Sequence, residues 1–297
     1  MLRWAQNQFY SLIGVDDKLF NMESFSTRIL DEVIVEKIIH YCWFGRNKLS
    51  QHALDVIETW KKYAPGYEIK CWNEDNFNIN DHPFTKAAYE SGRMAFVSDY
   101  VRFWAVYNYG GIYMDLGSEL IKDIRGLVSS YKCISAIEKS TCTVNSGLFL
   151  SCEKHDSLAG EVLSKYDALE YVDSDDFRLK HTVNEMFTQL LMEKGFQKKD
   201  EKQSIGKWTI LPSDYFNPLY GIGGFHIKKN TYSIHQYSAS WRDSKERYRD
   251  QVTHRLAFYV GHRTGEVLSR LIAEFKFENM GDAFRNLFSK LASHSHR

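Results

Sequence analysis

The stretch from Lys37 to Trp72 constrains the fold more than any other part of the chain. Lys37 to Phe44 is a compact β-type run, Lys-Ile-Ile-His-Tyr-Cys-Trp-Phe, closed by Gly45. Leu49 to Tyr63 then takes helical spacing, with Ala53, Ile57 and Trp60 recurring on one face. Pro65-Gly66 ends that helix, and Tyr67 to Trp72 reads as the next strand. A hairpin turn joins only antiparallel strands, so a helix-length connection marks the βαβ unit of a parallel sheet. The expected class is therefore α/β, and 297 residues suffice for one large domain of that class with a real core.

The rest of the chain continues this pattern. Ala95 to Tyr109 reads as a helix stopped by Gly110-Gly111, followed by a short strand, Ile112 to Asp115, and a turn at Leu116-Gly117-Ser118. Cys133 to Glu138, Val144 to Ser151, Trp208 to Leu211 and Tyr232 to Tyr237 are further strand candidates. Helices are expected near Asp156 to Tyr171 and Leu179 to Lys194, and from about Arg242 onward.

Charge and cysteine usage exclude several functions. With 38 basic and 38 acidic residues the formal net charge is zero, against a general nucleic-acid binder, whose affinity comes from neutralising phosphates. The five cysteines are scattered without a Cys-x-x-Cys spacing and read as reduced thiols of a cytoplasmic protein. No apolar run reaches the length of a membrane span, and no signal peptide follows Met1. No Gly-x-x-x-x-Gly-Lys-Ser/Thr loop is present to cradle phosphates as in a kinase-like enzyme.

The candidate site lies at the second helix and the strand after it. Asp99 and Arg102 stand three apart, so a helix projects both from one face. Alternation puts Tyr113 and Asp115 on one face of the following strand, with Asp115 at its carboxyl end, where open α/β sheets bind ligands. A carboxylate there can hold ribose hydroxyls or a hard divalent cation, and a guanidinium can offset phosphate charge. Spacing alone leaves the alternatives open: Asp99 and Arg102 as a surface ion pair, Asp115 as an ordinary turn residue.

Ala95-Phe96-Val97-Ser98-Asp99-Tyr100-Val101-Arg102, followed by Tyr109-Gly110-Gly111-Ile112-Tyr113-Met114-Asp115, closely resembles the sugar-binding region of Asp-X-Asp glycosyltransferases. The nearest group is family 32, which takes in yeast-type initiating mannosyltransferases and bacterial capsule and lipopolysaccharide enzymes. The catalytic domains of large clostridial toxins are more distant kin. Three further segments agree in order: Ile38 to Gly45, Trp60 with Pro65, Tyr67 and Trp72, and His235-Gln236-Tyr237-Ser238-Ala239-Ser240-Trp241. The resemblance covers about Glu36 to Trp241. It implies a GT-A type fold, a mainly parallel central sheet flanked by helices. It also implies a nucleotide-sugar donor, a saccharide or lipid-linked saccharide acceptor, a manganese or magnesium ion, and retention of anomeric configuration.

Carried over position by position, Trp43 stacks near the nucleobase, where the plain alternative is a core tryptophan. Asp99 binds ribose or sugar hydroxyls, Arg102 holds the phosphate and sugar end, and Tyr113 lines the nucleotide pocket. Asp115 is the first Asp of the motif and contacts ribose and metal. Asn145 lies near the reacting sugar or is a turn residue. His235, Ser240 and Trp241 close over the diphosphate, His235 being a metal ligand or a core histidine.

Two positions depart from the pattern. The second Asp of the motif falls on Gly117, in Asp115-Leu116-Gly117-Ser118-Glu119. Either Asp115, diphosphate oxygens, water and His235 hold the ion, or Glu119 substitutes, or the enzyme is weakly metal-dependent or inactive, in the last case a catalytically silent nucleotide-sugar-binding partner of another transferase. Thr182-Val183-Asn184 stands where relatives often carry Thr-Gly-Pro, and is expected to border the donor or acceptor pocket. The expected organisation is a helical extension at 1–35, the catalytic domain at 36–241 and a helical segment at 242–297. Leu256, Tyr259, Val260, Val267, Leu271 and Phe275 form part of an apolar stripe among Arg255, Arg263 and Arg270. It either packs on the domain or brings the enzyme to the inner face of a membrane.

Overall fold

The computed structural model describes residues 35–218, 226–236, 248–249, 252–253, 255–256, 259–260 and 262–277. The chain divides into Met1–Ile34 and Val35–Arg297, and the description concerns the second unit. In chain order its elements are β1 (Ile38–Cys42), α1 (Gln51–Tyr63), β2 (Glu68–Trp72), α2 (Pro83–Glu90), α3 (Met94–Tyr109), β3 (Gly111–Tyr113), β4 (Ser118–Leu120), α4 (Arg125–Val128) and β5 (Cys133–Ala136). They continue with β6 (Leu150–Cys152), α5 (Ser157–Asp167), α6 (Asp175–Lys180), α7 (Val183–Glu193), β7 (Gln203–Ile205), β8 (Trp208–Leu211), β9 (Ser233–His235) and α8 (His262–Phe277).

Seven strands form the central sheet in the order β2-β1-β3-β6-β5-β8-β7, and β4 pairs with β9 in a second, two-stranded sheet. β1 runs parallel to β2 and β3, and β5 parallel to β8, while β6 and β7 run against their neighbours. Five of the seven strands thus point one way, the mainly parallel, helix-flanked sheet expected of a GT-A type fold. The βαβ unit is β1-α1-β2, in register from Ile38 opposite Glu68 to Cys42 opposite Trp72.

Local chemistry explains the element ends. Ser50 caps α1 by accepting from the Ala53 N–H, and the helix buries Ala53, Val56, Ile57 and Trp60 against the sheet. α3 is the central helix, burying Phe96, Val97, Val101, Phe103, Ala105 and Val106. It ends at Gly110, and Gly111 carries the chain into β3 with φ of 96°. A Cβ on Gly111 would lie 2.7 Å from the Ile38 carbonyl oxygen, so the entry to β3 beside β1 admits no side chain.

Three expectations are corrected. Of Val144 to Ser151, only the last two residues enter a strand, β6; residues 144–149 form a turn instead, with one bridge from Val144 to Ile137. Leu179 to Lys194 splits into α6 and α7, because the Thr182 hydroxyl accepts from the Glu185 N–H and starts a new helix. The strand of Ile112 to Asp115 stops at Tyr113. Helices α2 and α4 and strands β4 and β7 have no counterpart in the sequence reading.

His40 ties β1, β2 and the end of α3 together. Its Nδ1 accepts from Trp72 Nε1 at 3.2 Å, which leaves Nε2 to donate to the Gly110 carbonyl at 2.8 Å. Both bonds require the neutral ring, since a proton on Nδ1 would face the indole N–H. Burial lowers the His40 pKa to about 4, with the Gly110 carbonyl opposing and Lys70 adding. The folded state therefore binds fewer protons than the unfolded state between the unfolded value, near 6.5, and about 4. Stability present above that window is lost as pH falls through it, at up to about 1.4 kcal/mol per pH unit from this group. Urea midpoints measured from pH 7 to 5 should show this slope in the wild type, and a shallower slope in His40→Gln.

Candidate active site

The sheet order places a topological switch at β1. The chain leaves β1 for β2 on one side and returns with β3 on the other, so the carboxyl ends of β1 and β3 open onto one crevice. Trp43 follows β1, its backbone N–H donating to the Trp72 carbonyl at 2.9 Å. Its half-buried indole donates to the Asn47 carbonyl at 2.6 Å. Asp115 stands beyond the end of β3, after Met114, whose N–H bonds the His40 carbonyl at 3.1 Å. The two residues thus follow the carboxyl ends of the paired strands β1 and β3.

Asp99, Arg102, Tyr113 and Asp115 form one cluster. Arg102 Nη2 lies 2.8 Å from Asp99 Oδ1 and 3.6 Å from Asp115 Oδ1. The Tyr113 hydroxyl donates to Asp115 Oδ1 at 2.9 Å, and the guanidinium stands 5.0 Å over the Tyr113 ring. Exposure decides the roles: the side chains of Arg102 and Asp99 are 7% and 14% exposed, that of Asp115 37%. The Asp99–Arg102 pair is thus buried, and the reading of it as a surface ion pair is overturned. Tyr113 is also buried and meets the crevice through Asp115.

Burial raises the Asp99 pKa above the ordinary carboxylate range, with Arg102 opposing and Asp115 adding. Burial pulls the Arg102 pKa down, but the charges of Asp115, Tyr113 and Asp99 outweigh it and leave the guanidinium above its ordinary value. Burial, then the Asp115 charge, pushes the Tyr113 phenol well up, so it remains a donor.

The turn before β6 supports Asp115 from beneath. The Asp115 N–H donates to the Gly147 carbonyl at 2.9 Å, and a Cβ on Gly147 would overlap the Asp115 carboxylate. Asn145 closes this turn, its Oδ1 accepting from the Gly147 N–H at 2.9 Å and its Nδ2 donating to Glu138 at 3.2 Å. Asn145 therefore makes the turn contacts of the plainer reading, next to the cluster. Thr182-Val183-Asn184 borders the cluster. The Val183 N–H points to Asp99 Oδ2 at 3.4 Å, and Asn184 Oδ1 accepts from both Ser146 N and Ser146 Oγ at 2.9 Å. Ser146 Oγ accepts from Arg102 Nη1 at 3.3 Å. Thr188, one turn on, accepts from the Val144 N–H at 3.0 Å, so one face of α7 grips residues 144–146. Ser146, Gly147 and Asn184 escaped the sequence reading as members of the cluster, having only the motif around Asn145 and the departure at 182–184 to mark them.

His235 stands on β9, which pairs with β4 so that Ser118 faces His235, and its ring lies against Gly117. Glu119 is engaged by Gln236, whose Nε2 donates to its carboxylate at 2.8 Å. Among the described residues no group of three His, Cys, Asp or Glu side chains is placed to hold a metal ion. Ser240 and Trp241 lie outside the described residues.

Comparison with known proteins bears out the resemblance. Residues 50–134 match the family model described as "Glycosyltransferase sugar-binding region containing DXD motif". This segment holds Asp99, Arg102, Tyr113 and Asp115. Inositol phosphoceramide mannosyltransferase 3 of Schizosaccharomyces pombe is 29% identical over 120 residues, 39% of this chain and 32% of that protein. The match thus spans about a third of the relative's length. A solved structure, PaToxG Glycosyltransferase, superposes with a TM-score of 0.42 at 15% identity, over 59% of this chain and 77% of that one.

Removing one partner of a buried ion pair strands the other charge. Arg102→Met should therefore cost about 3–5 kcal/mol in chemical denaturation, whereas Asp115→Asn should cost at most about 1 kcal/mol.

Proposed function

We propose that this chain is a retaining glycosyltransferase that moves a hexose from a UDP- or GDP-hexose to a saccharide or lipid-linked saccharide acceptor. The setting is capsule, lipopolysaccharide or exopolysaccharide assembly at the cytoplasmic face of the membrane. The observation that carries this reading is the exposed Asp115 carboxylate at the β1/β3 switch point, backed by buried Arg102, within the segment that matches a sugar-binding region.

In this reading Asp115 meets the ribose and the diphosphate end of the donor. Arg102 keeps positive charge behind it, Asp99 and Tyr113 hold Arg102 and Asp115 in place, and Trp43 stacks on the base from the opposite lip. Asn145, engaged in the turn beside the cluster, is assigned to the sugar end, and Ser240 and Trp241, outside the described residues, are assigned to the diphosphate on the resemblance alone. In the same reading Asp115 and His235 would hold a manganese or magnesium ion that takes the rest of its shell from diphosphate oxygens and water. Such an ion would stabilise negative charge on the departing diphosphate. That diphosphate can itself accept the proton of the acceptor hydroxyl, so no side chain is assigned as general base. The name of the fission-yeast relative, a mannosyltransferase of inositol phosphoceramide, agrees with a hexose donor and a lipid-linked acceptor.

A second reading rests on Gly117: a partner protein that binds donor without cleaving it. Donor hydrolysis and transfer assays with UDP- and GDP-sugars, with and without manganese, separate the two. The transferase reading expects turnover that falls at least about 100-fold in Asp115→Ala. Near-normal turnover in that variant would remove Asp115 from the mechanism, and donor binding without any cleavage would favour the silent partner.

Helix α8 supports peripheral membrane contact. It buries Ser269 and Ala273 and turns Val267 outward, 60% exposed, together with Leu268, Ile272 and Phe277. Among the described residues no helix is long and apolar enough to cross a membrane. Liposome flotation should be reduced in Val267→Asp/Ile272→Asp, and equal flotation of both proteins would end the membrane proposal.

A further inference from the structure

The loop between β1 and α1 turns through the left-handed region twice in succession, at Gly45 with φ of 96° and at Arg46 with φ of 55°. An arginine adopts that region only where its surroundings impose it. The turn brings the Asn47 carbonyl back to Trp43, where it accepts from the indole N–H at 2.6 Å. It thus sets where the half-buried indole stands, while the next residue, Phe44, is buried against Phe77.

Glu74 holds this turn. Its Oε1 accepts from the Gly45 N–H at 2.6 Å and from the Tyr89 hydroxyl at 2.9 Å. Glu74 itself sits in a bonded turn after β2. There the Phe77 N–H donates to the Asn73 carbonyl at 3.0 Å, and Asn76 Nδ2 to the Cys71 carbonyl at 2.7 Å. Tyr89 comes from α2, which is anchored by buried Phe84, Thr85 and Ala88. The hydrogen bond to Glu74, more than burial, raises the Tyr89 pKa, so the phenol stays the donor. A second tie, Arg46 to Asp75 at 3.2 Å, is well exposed on both sides and holds little. A carboxylate accepting from a backbone N–H is the stronger bond, and it joins the loop to a packed helix.

We propose that Glu74, oriented by Tyr89, is a positioning residue for nucleotide binding: it latches the turn at Gly45 and Arg46, and through that turn holds the Trp43 indole for stacking on the base. The inference rests on the nucleotide-sugar reading above and its placement of Trp43. Glu74 touches no part of the ligand. It fixes the Gly45 N–H, the turn fixes the Asn47 carbonyl, and that carbonyl fixes the indole. Base affinity then depends on a line of contacts from α2, separate from the charged cluster of Asp99, Arg102 and Asp115.

The test is calorimetric binding of UDP, GDP and inorganic pyrophosphate, each with magnesium present, to the full chain. The proteins are the wild type, Glu74→Ala, Glu74→Gln, Tyr89→Phe, Trp43→Ala and Glu74→Ala/Trp43→Ala, with melting temperature as the check on folding. Trp43→Ala should weaken binding of the nucleotide that the wild type prefers by roughly 10- to 100-fold, and Glu74→Ala by roughly 10-fold. Pyrophosphate, which has no base, should bind both variants within a few-fold of wild type. Glu74→Gln keeps an oxygen that accepts both bonds and should stay near wild type. Tyr89→Phe removes only the donor that orients Glu74, and should weaken nucleotide binding by about 3-fold. In the Trp43→Ala background Glu74→Ala should cost nothing further, the non-additivity of two residues acting as one. Wild-type nucleotide affinity in Glu74→Ala overturns the inference, and so does an equal loss for pyrophosphate or a full further loss in the double variant. If Glu74→Ala does not fold, Tyr89→Phe decides, and wild-type affinity there overturns the inference. If Trp43→Ala binds nucleotide as the wild type does, the stacking role of Trp43 fails and the latch with it. A wild type that binds neither UDP nor GDP defeats the nucleotide-sugar reading itself.

Discussion

A guanidinium taken out of water stays in a folded core only where carboxylates surround it, and Arg102 is such a group. It is buried between Asp99, one helical turn back on α3, and Asp115, at the end of β3. This interaction fixes the relation between the central helix and the carboxyl edge of the sheet. The remaining parts of the site attach to it. Ser146, held by Asn184 of α7, accepts from the guanidinium, Tyr113 holds the carboxylate it faces, and Gly147 leaves that carboxylate its space. The site therefore has a layered character: the charges that set its electrostatics are buried, and Asp115 is the one that solvent or a ligand reaches.

Much of this was legible in the sequence because it is local. The β1-α1-β2 unit follows from period and turn residues, and the i,i+3 spacing of Asp99 and Arg102 predicts their shared face. The Gly110-Gly111 pair marks a helix end and a tight entry to β3, and both readings follow from backbone chemistry. What spacing could not decide was burial. The same Asp99–Arg102 pair on a surface helix would mean little, and only the packing of β3, the turn at 145–147 and α7 around it removes it from water.

The less legible features depend on residues far apart in the chain. Asn184 and Ser146 are 38 positions apart and meet only because α7 starts afresh at Thr182. Residues 144–149 have strand composition but turn instead, since Asn145 bonds the Gly147 N–H and the Asp115 N–H takes the Gly147 carbonyl. Gly117 is the clearest case. From the sequence it reads as a gap in a motif, and in three dimensions it is the clearance for a histidine carried by a strand more than a hundred residues later.

The central claim is that the carboxyl ends of β1 and β3 hold the nucleotide of a sugar donor against Asp115. A crystal structure of the chain with manganese and UDP or GDP tests it most directly. The account predicts the nucleotide in the crevice between Trp43 and Asp115, with a ribose or phosphate oxygen, or the ion that binds it, in contact with the Asp115 carboxylate. A nucleotide bound elsewhere on the sheet, or one lying in the crevice with Asp115 turned away from it, would contradict the account.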